Sequence, residues 1–166
     1  KQMRYKGLKG YFVGTLREMH VSAKSIRNNP YSGRRTLDAE TRTELEAYAK
    51  SLGVAEIGYT KVNPLHIFRG FRILYGNAMV FTIEMDKTKI KGAPNIESFK
   101  EVFRTYYQVG LTVNKVAEWL RERGFNAHAG PAGGGDVNYI PVAIDAGLGV
   151  AGKNGFLMTR NNSFRV

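Results

Sequence analysis

The longest segment with a regular apolar pattern is residues 95–124, NIESFKEVFRTYYQVGLTVNKVAEWLRERG. Apolar residues recur in it every three or four positions, which is the spacing of one face of an α-helix. Asn95 can cap the start of this helix and Gly124 can end it. We therefore predict one long helix with a continuous apolar stripe. The stripe contains Ile96, Phe99, Phe103, Tyr106, Gly110, Val113, Ala117 and Leu120.

Gly110 lies inside this predicted helix, where glycine costs about 1 kcal/mol relative to alanine. Glycine is favoured where a second group must come close to the backbone. Gly110 therefore indicates close approach by another backbone or by a cofactor, or a local break in the helix.

Shorter elements surround the long helix. DAETRTELEAYAKSLG (38–53) predicts a helix capped by Thr36 or Asp38 and ended by Gly53. VAEIGYTKV (54–62) and AMVFTIEMD (78–86) predict strands. FNAHAGP (125–131) predicts a short strand, IPVAIDAGLG (140–149) a brief helix opened by Pro141, and GFLMT (155–159) a last strand. Helices and strands alternate without the Val/Ile-rich runs of buried parallel strands, which favours the α+β class.

The first 36 residues have a different character, because basic residues are concentrated there. We predict that residues 1–36 form an extended basic arm with a short helix near Leu16–Ile26, and that residues 37–166 form one folded domain. The net charge is +11, from 25 Lys+Arg against 14 Asp+Glu. Such a charge is compatible with a nucleic acid, an anionic cofactor or an acidic partner.

The chain contains no cysteine, which excludes a disulfide or a thiolate-ligated zinc or iron–sulfur cluster within these residues. Its three histidines are not spaced as metal ligands, so no metal site is predicted. No apolar run approaches the roughly 20 residues that span a bilayer, and no signal-peptide pattern opens the chain. We therefore expect a cytoplasmic protein.

A glycine-rich stretch, AGLGVAGKNG (146–155), matches two phosphate-binding patterns, G-x-G-x-x-G and G-x-x-x-x-G-K. Both patterns require a strand before the glycines and a helix after them, whereas here a predicted helix precedes and a predicted strand follows. Asn154 also stands where a P-loop needs a Ser or Thr. Two interpretations remain: a tight helix–strand connection with Gly147 as the C-cap, or a backbone surface that a bulky ligand can approach.

The segment IPVAIDAGLGVAGKNGFLMTRNNSFRV (140–166) resembles the cobalamin-dependent iron–sulfur reductases, which include epoxyqueuosine reductases and reductive dehalogenases. The first branch carries a run like AGLGWIGKN, similar to residues 146–149 and 152–154 here. The second carries IPLAIDAGLGE and RNG, similar to residues 140–149 and 154–155. Upstream, AYAKSLGVAEIGYTKV and LRERGFNAHA are similar to the family's helix–strand opening and to a later segment.

This resemblance implies a nitroreductase-like domain, with a mixed sheet flanked by helices, that holds a cobalamin. It also implies a ferredoxin-like domain with the iron–sulfur clusters after Val166, or a separate iron–sulfur protein, as the electron donor. The substrate would be a small organic molecule in the dehalogenase branch or a tRNA in the queuosine branch. The reaction would cleave a carbon–halogen or a carbon–oxygen bond.

The resemblance also suggests site residues. The cofactor-binding candidates are Ala146, Gly147, Leu148, Gly149, Gly152, Lys153, Asn154 and His128. The catalytic candidates are Tyr106, Tyr107, Asp145 and Lys153.

Each catalytic candidate also has a structural interpretation. Tyr106 lies on the apolar stripe and could be a core residue, whereas Tyr107 lies off it. Asp145 could be a buried acid or a cap of the adjacent loop. His128 could simply be a hydrogen-bonded strand residue, and Asp136 resembles the acid of the queuosine branch without matching its spacing.

Two further hypotheses remain open. A nitroreductase-like fold could bind a flavin such as FMN instead of a corrinoid. Alternatively, the chain could be a basic nucleic-acid-binding module, with aromatic residues interleaved among the charges of residues 1–35. These aromatic residues are Tyr5, Tyr11, Phe12 and Tyr31.

Overall fold

Five helices and two small antiparallel strand pairs make up the part of the fold that the structure describes. The computed structural model describes residues 6–34 and 36–161. The helices are α1 (Gly7–Ser25), α2 (Ala39–Ser51), α3 (Lys87–Lys91), α4 (Ile96–Glu122) and α5 (Tyr139–Asp145). The strands are β1 (Glu56–Lys61), β2 (Asn77–Thr82), β3 (Val150–Ala151) and β4 (Leu157–Met158). Short 3₁₀ turns lie at Ile26–Asn28 and Pro64–His66.

Helix α4 confirms the prediction from residues 95–124. Asn95 accepts a hydrogen bond from the Ser98 amide at 2.8 Å, and the Ser98 hydroxyl accepts one from the Asn95 amide at 3.1 Å. These reciprocal bonds form a capping box. At the other end, Gly124 has a φ of +81°, and the Phe125 amide donates to Leu120 O at 2.9 Å. Both ends therefore lie within about one residue of the boundaries that the sequence predicted.

The predicted apolar stripe of α4 is wrong in its first half. Ile96, Phe99 and Tyr106 are 57%, 52% and 42% exposed, whereas Glu101 and Tyr107 are 1% exposed. The buried face is rotated from the predicted one because α1 and α3 pack on a face that also contains polar residues. Apolar periodicity therefore identified the helix but not the side that its neighbours cover.

Helix α1 runs parallel to α4, with small residues at the contact. A Cβ atom on Gly14 would lie 2.8 Å from the Tyr107 ring, and one on Gly110 would lie 2.7 Å from the Glu18 Cβ. Asn114 Nδ2 then donates to both the backbone oxygen and Oε2 of Glu18, at 3.0 Å each. Of the three interpretations of Gly110, the structure shows close approach by another part of the chain, which is α1.

The expected arm differs from the structure over residues 7–25. We expected an extended segment with a short helix near Leu16–Ile26, but α1 is a 19-residue helix packed along α4. Glycine and serine on its inner face permit this packing: Gly14 lies against the Tyr107 ring, and the Ser22 hydroxyl donates to Ala129 O. Residues 1–5 and Arg35, which the prediction also covered, lie outside the described residues.

A second layer forms the main apolar core. Helix α2 begins at Asp38, which accepts from the Thr41 amide at 2.8 Å as predicted, and Gly53 follows it with a φ of +94°. Strands β1 and β2 pair antiparallel, with Gly58 opposite Val80. The buried cluster beneath them contains Leu45, Ala49, Val54, Val116 and Trp119. The predicted helix and both strands are confirmed, although each strand is shorter than expected.

The strands support the α+β class. Strands β1–β2 and β3–β4 are both antiparallel pairs, and the parallel pairing found in the described residues is a single bridge between Arg34 and Phe125. The strand predicted at residues 125–131 is wrong apart from that bridge. Side chains occupy the backbone groups of Ala127 instead: its amide donates to Asn29 Oδ1 at 3.0 Å and its oxygen accepts from Arg121 at 2.8 Å.

Candidate functional site

Helix α5 leads directly into the glycine-rich stretch. Asn138 caps its start by accepting from the Ile140 amide, so the helix begins two residues before the predicted Pro141. At its end the Leu148 amide donates to Ala143 O at 3.0 Å and the Gly147 amide donates to Ile144 O at 2.9 Å. With a φ of +77° at Gly147, this is a Schellman ending. The prediction that Gly147 is the C-cap glycine is confirmed.

The next residues pack against two strands. A Cβ atom on Gly149 would overlap the carbonyl oxygen of Met158 in β4, and one on Gly58 of β1 would overlap the carbonyl oxygen of Ala146. Leu148 is buried between them, since its side chain lies close to Gly58. Gly149 is thus required by a neighbouring strand of this chain rather than by a ligand.

Lys153 and Asn154 lie at the tip of the β3–β4 hairpin. The Gly152 amide donates to Phe156 O at 2.8 Å, and the Gly155 amide donates to Gly152 O at 2.9 Å. Asn154 Oδ1 accepts from the Phe156 amide at 3.3 Å, a local bond that explains an asparagine at this turn. Lys153 is exposed. The observed order of helix, loop and strand confirms that the phosphate-binding patterns lack the structure they require.

Asp145, at the last turn of α5, contacts a residue that the sequence did not single out. His66 Nε2 lies 2.9 Å from Asp145 Oδ2, and because an ionised carboxylate only accepts, the ring nitrogen is the donor. His66 O also accepts from the Asn138 amide at 2.8 Å. One histidine therefore holds both ends of α5, and with them the entrance to the glycine stretch. No local spacing could signal this pair, whose members are 79 residues apart.

The two candidate tyrosines belong to another part of the molecule. Tyr107 is 1% exposed and its ring faces Gly14 of α1. Tyr106 is exposed, with its ring centroid 5.9 Å from that of Phe103. The sequence pattern suggested that Tyr106 is buried and Tyr107 exposed, whereas the structure shows the opposite. Helix α5 packs instead on β1, β2, the β3–β4 hairpin and the Pro64–His66 turn, so the structure does not group the tyrosines with Asp145 and Lys153.

His128 and Asp136 form a separate pair. His128 Nδ1 lies 3.8 Å from Asp136 Oδ2, on a cleft of about 360 Å³. Gly130 and Gly135 lie against the ring of Tyr139, whose hydroxyl donates to Pro131 O at 2.9 Å. Burial raises the pKa of Tyr139 and the nearby Asp136 raises it further, so this phenol stays neutral. Among the described residues, no group of three or more His, Asp or Glu could hold a metal ion.

The glycine stretch leaves its backbone open at two positions. Gly147 and Gly155 have no atoms within 4 Å of the position a Cβ would take, so their backbones can be approached. Val150 and Phe156 are exposed beside Lys153, which combines apolar surface with a cation. The larger cleft, of about 460 Å³, lies elsewhere, between α2, α4 and β1–β2. Enclosure of a cofactor would therefore need surface beyond these residues.

Comparison with known proteins finds curated relatives that are similar to part of this chain. Over 109 residues, or 65% of this chain, the sequence is 33% identical to tetrachloroethene reductive dehalogenases of Desulfitobacterium hafniense and of Dehalobacter restrictus (strain DSM 9455 / PER-K23). The chain spans about a fifth (19%) of the length of these curated relatives. No protein-family model matches it.

The chain is thus similar in sequence to part of these reductive dehalogenases. The queuosine branch, the flavin alternative and the nucleic-acid alternative gain no support from these relatives. No helix in residues 6–34 and 36–161 has the length and apolar character needed to cross a membrane.

Proposed function

We propose that this chain is the corrinoid-binding part of a reductase that cleaves a carbon–halogen bond, with residues 146–155 forming one wall of the cofactor site. The observation that carries this proposal is the 33% identity over 109 residues to tetrachloroethene reductive dehalogenases. The open backbones of Gly147 and Gly155 and the exposed Lys153 support the location.

The residues of this chain would bind the corrinoid and orient it toward the substrate. When bound, a reduced corrinoid supplies the reactive metal centre and iron–sulfur clusters supply the electrons. Lys153 offers a cation to a phosphate, a carboxylate or a leaving halide. The contact of His66 with Asp145 holds α5, and so fixes where the glycine backbone meets the cofactor.

A proton donor is also needed for replacing halogen by hydrogen. Of the two tyrosines, Tyr106 is the better candidate because its side chain is exposed, whereas Tyr107 is enclosed between α1 and α4, although neither lies beside Lys153 in this structure. The chain has no cysteine, so the electron-donating clusters would be ligated by another domain or protein.

The test uses the full-length protein, reduced and free of oxygen, titrated with cobalamin while its visible spectrum is recorded. We expect saturable binding, weakened by Lys153→Ala and unchanged by Lys50→Ala on the exposed side of α2. Absence of binding by the wild-type protein would overturn the proposal. A yellow, fluorescent protein that binds flavin instead would favour the nitroreductase alternative.

Substrate class is tested with the same preparation. We expect release of halide from a chlorinated ethene when an electron donor is present. A protein that binds cobalamin but releases no halide, and instead reduces an epoxide on a tRNA nucleoside, would move the proposal to the carbon–oxygen branch.

A further inference from the structure

A second candidate site lies in the cleft of about 360 Å³ beside α1, and it is independent of the proposed function. Its apolar wall is made by Met19, Ala23 and Ile26, with Leu74 also on the cleft. Sites for small molecules have volumes of roughly 300–1,000 Å³ and mostly apolar walls with a few polar groups. The cleft is therefore large enough for a small ligand.

Three charged or titratable side chains come together on this cleft from distant parts of the chain. They are Arg72, His128 and Asp136. The side chains of His128 and Asp136 are 25% and 23% exposed, and His128 Nδ1 faces Asp136 Oδ2 at 3.8 Å. Tyr139, which also lies near Asp136, is neutral because burial raises its pKa.

Arg72 is the charged residue on this cleft whose side chain makes no ion pair among the described residues. Over the described ranges 6–34 and 36–161, its guanidinium has no hydrogen bond, ion pair or ring contact. The carboxylate on the same cleft faces His128 instead. The Ser22 hydroxyl, also on the cleft, already donates to Ala129 O. The cation at this cleft is therefore available to an added anion.

We propose that this cleft binds a small organic anion, a carboxylate with a short apolar body. A guanidinium binds a carboxylate through two parallel hydrogen bonds. Met19, Ile26 and Leu74 would cover the apolar body, a contact that an inorganic anion cannot make. His128, when protonated, adds a second positive charge beside the carboxylate of Asp136.

The experiment is an NMR titration of the protein with sodium benzoate at constant ionic strength, with inorganic phosphate as the comparison anion. We expect saturable benzoate shifts at His128, weakened at least tenfold by Arg72→Gln, which corresponds to about 1.4 kcal/mol. Arg69→Gln, in the same exposed segment but off the cleft, is the matched control and should bind as the wild type does. Ala23→Phe fills the cleft without removing a charge and should abolish binding.

Thermal unfolding of each variant shows that it is folded before the titration. The proposal is overturned if benzoate does not saturate, or if Arg72→Gln and Arg69→Gln bind it equally. It is also overturned if phosphate binds as tightly as benzoate, because the apolar wall would then contribute nothing.

Discussion

His66 illustrates how a single side chain can fix a loop that it does not belong to. Its backbone oxygen accepts from Asn138 at the start of α5, and its ring contacts Asp145 at the end. Helix α5 has only seven residues, too few to be stable alone. The position of the glycine stretch therefore depends on this histidine.

Replacement of His66 tests that dependence. His66→Phe removes the donor to Asp145, and we expect the free energy of unfolding to fall by about 0.5–1.5 kcal/mol, because the Asp145 side chain is 39% exposed and solvent weakens the bond. Amide hydrogen exchange at residues 146–149 should become faster. His66→Gln keeps an N–H donor near the position of Nε2 and should retain most of the protection. His20→Phe, on the exposed side of α1, is the control, and equal exchange in the Phe and Gln variants would contradict the assignment.

Gly149 provides a second test at the scale of one residue. A Cβ atom there would overlap the Met158 carbonyl oxygen, which is backbone and cannot turn away. We expect Gly149→Ala to lower the free energy of unfolding by about 1–3 kcal/mol, the usual cost of overpacking.

The matched control is Gly76→Ala, because Gly76 has open space around it and no positive φ. Urea unfolding of both variants gives the comparison. If the two lose equal stability, the close approach of β4 to Gly149 does not matter for folding.

At the scale of elements, the parallel contact of α1 with α4 depends on the absence of a side chain at Gly14. Gly14→Ala would force its Cβ against the Tyr107 ring. We expect it to lower the free energy of unfolding by about 1–3 kcal/mol. Combining it with Tyr107→Leu should cost less than the sum of the two single changes, because the smaller side chain makes room. Val13→Ala, on the exposed face of α1, is the control. Strict additivity in denaturant unfolding would show that the two residues do not share a contact.

Glu101 joins α3 to α4 and makes stability depend on pH. Its carboxylate is buried and accepts from Arg104 at 2.5 Å, from the Asp86 amide at 2.8 Å and from Lys89 at 3.2 Å. Burial alone would raise the pKa of Glu101, but these bonds, Arg104 first, outweigh it and lower the pKa to about 2. Folding therefore favours the charged form of this residue.

The sign of the pH effect follows from that lowered pKa. The stabilisation by the charged Glu101 is fully present at a pH above 4.5, the ordinary pKa of a glutamate. It is lost as the pH falls through about 2. Its size is on the order of 3 kcal/mol. We expect Glu101→Gln to be less stable than the wild type at pH 7, with a difference that shrinks between about pH 5 and pH 2. A difference that stays constant over that range, measured by denaturant unfolding, would contradict the role of the charge.

Local signals explain why most elements were predicted correctly. Asp38 and Asn95 cap their helices through bonds to residues three positions on, and Gly53 and Gly124 end them, so a short window contains the information. The buried face of α4 was not predictable in this way. Thr105 and Glu101 are buried there because of what α1 and α3 bring to them.

At the scale of the whole molecule, the rotation of α4 leaves an aromatic patch on the surface. Phe12, Phe99 and Tyr106 are exposed around Phe103, with ring centroids 5.0–5.9 Å from it. We expect the double change Phe99→Ser and Tyr106→Ser to reduce binding of a hydrophobic fluorescent dye without lowering the melting temperature. Leu45→Ser, at a buried position of the core, should lower the melting temperature strongly. Unchanged dye binding would show that the patch is covered.

The candidate site was predictable only where its residues are neighbours in sequence. The glycine stretch and Asp145 were identified from one short segment. His66 was not, because its contact with Asp145 exists only after β1 and β2 have placed the Pro64–His66 turn against α5. The same holds for Arg72, which meets His128 and Asp136 only in the folded chain.

The pairing of α1 with α4 also matters while the protein is being made. Helix α1 begins about 90 residues before α4, so at roughly 5–20 residues per second the ribosome delivers its partner some 5 to 20 seconds later. During that interval Gly14, Thr15 and Ser22 have no α4 to pack against. Slowing translation between α1 and α4 should therefore lengthen the time during which this face of α1 stays uncovered.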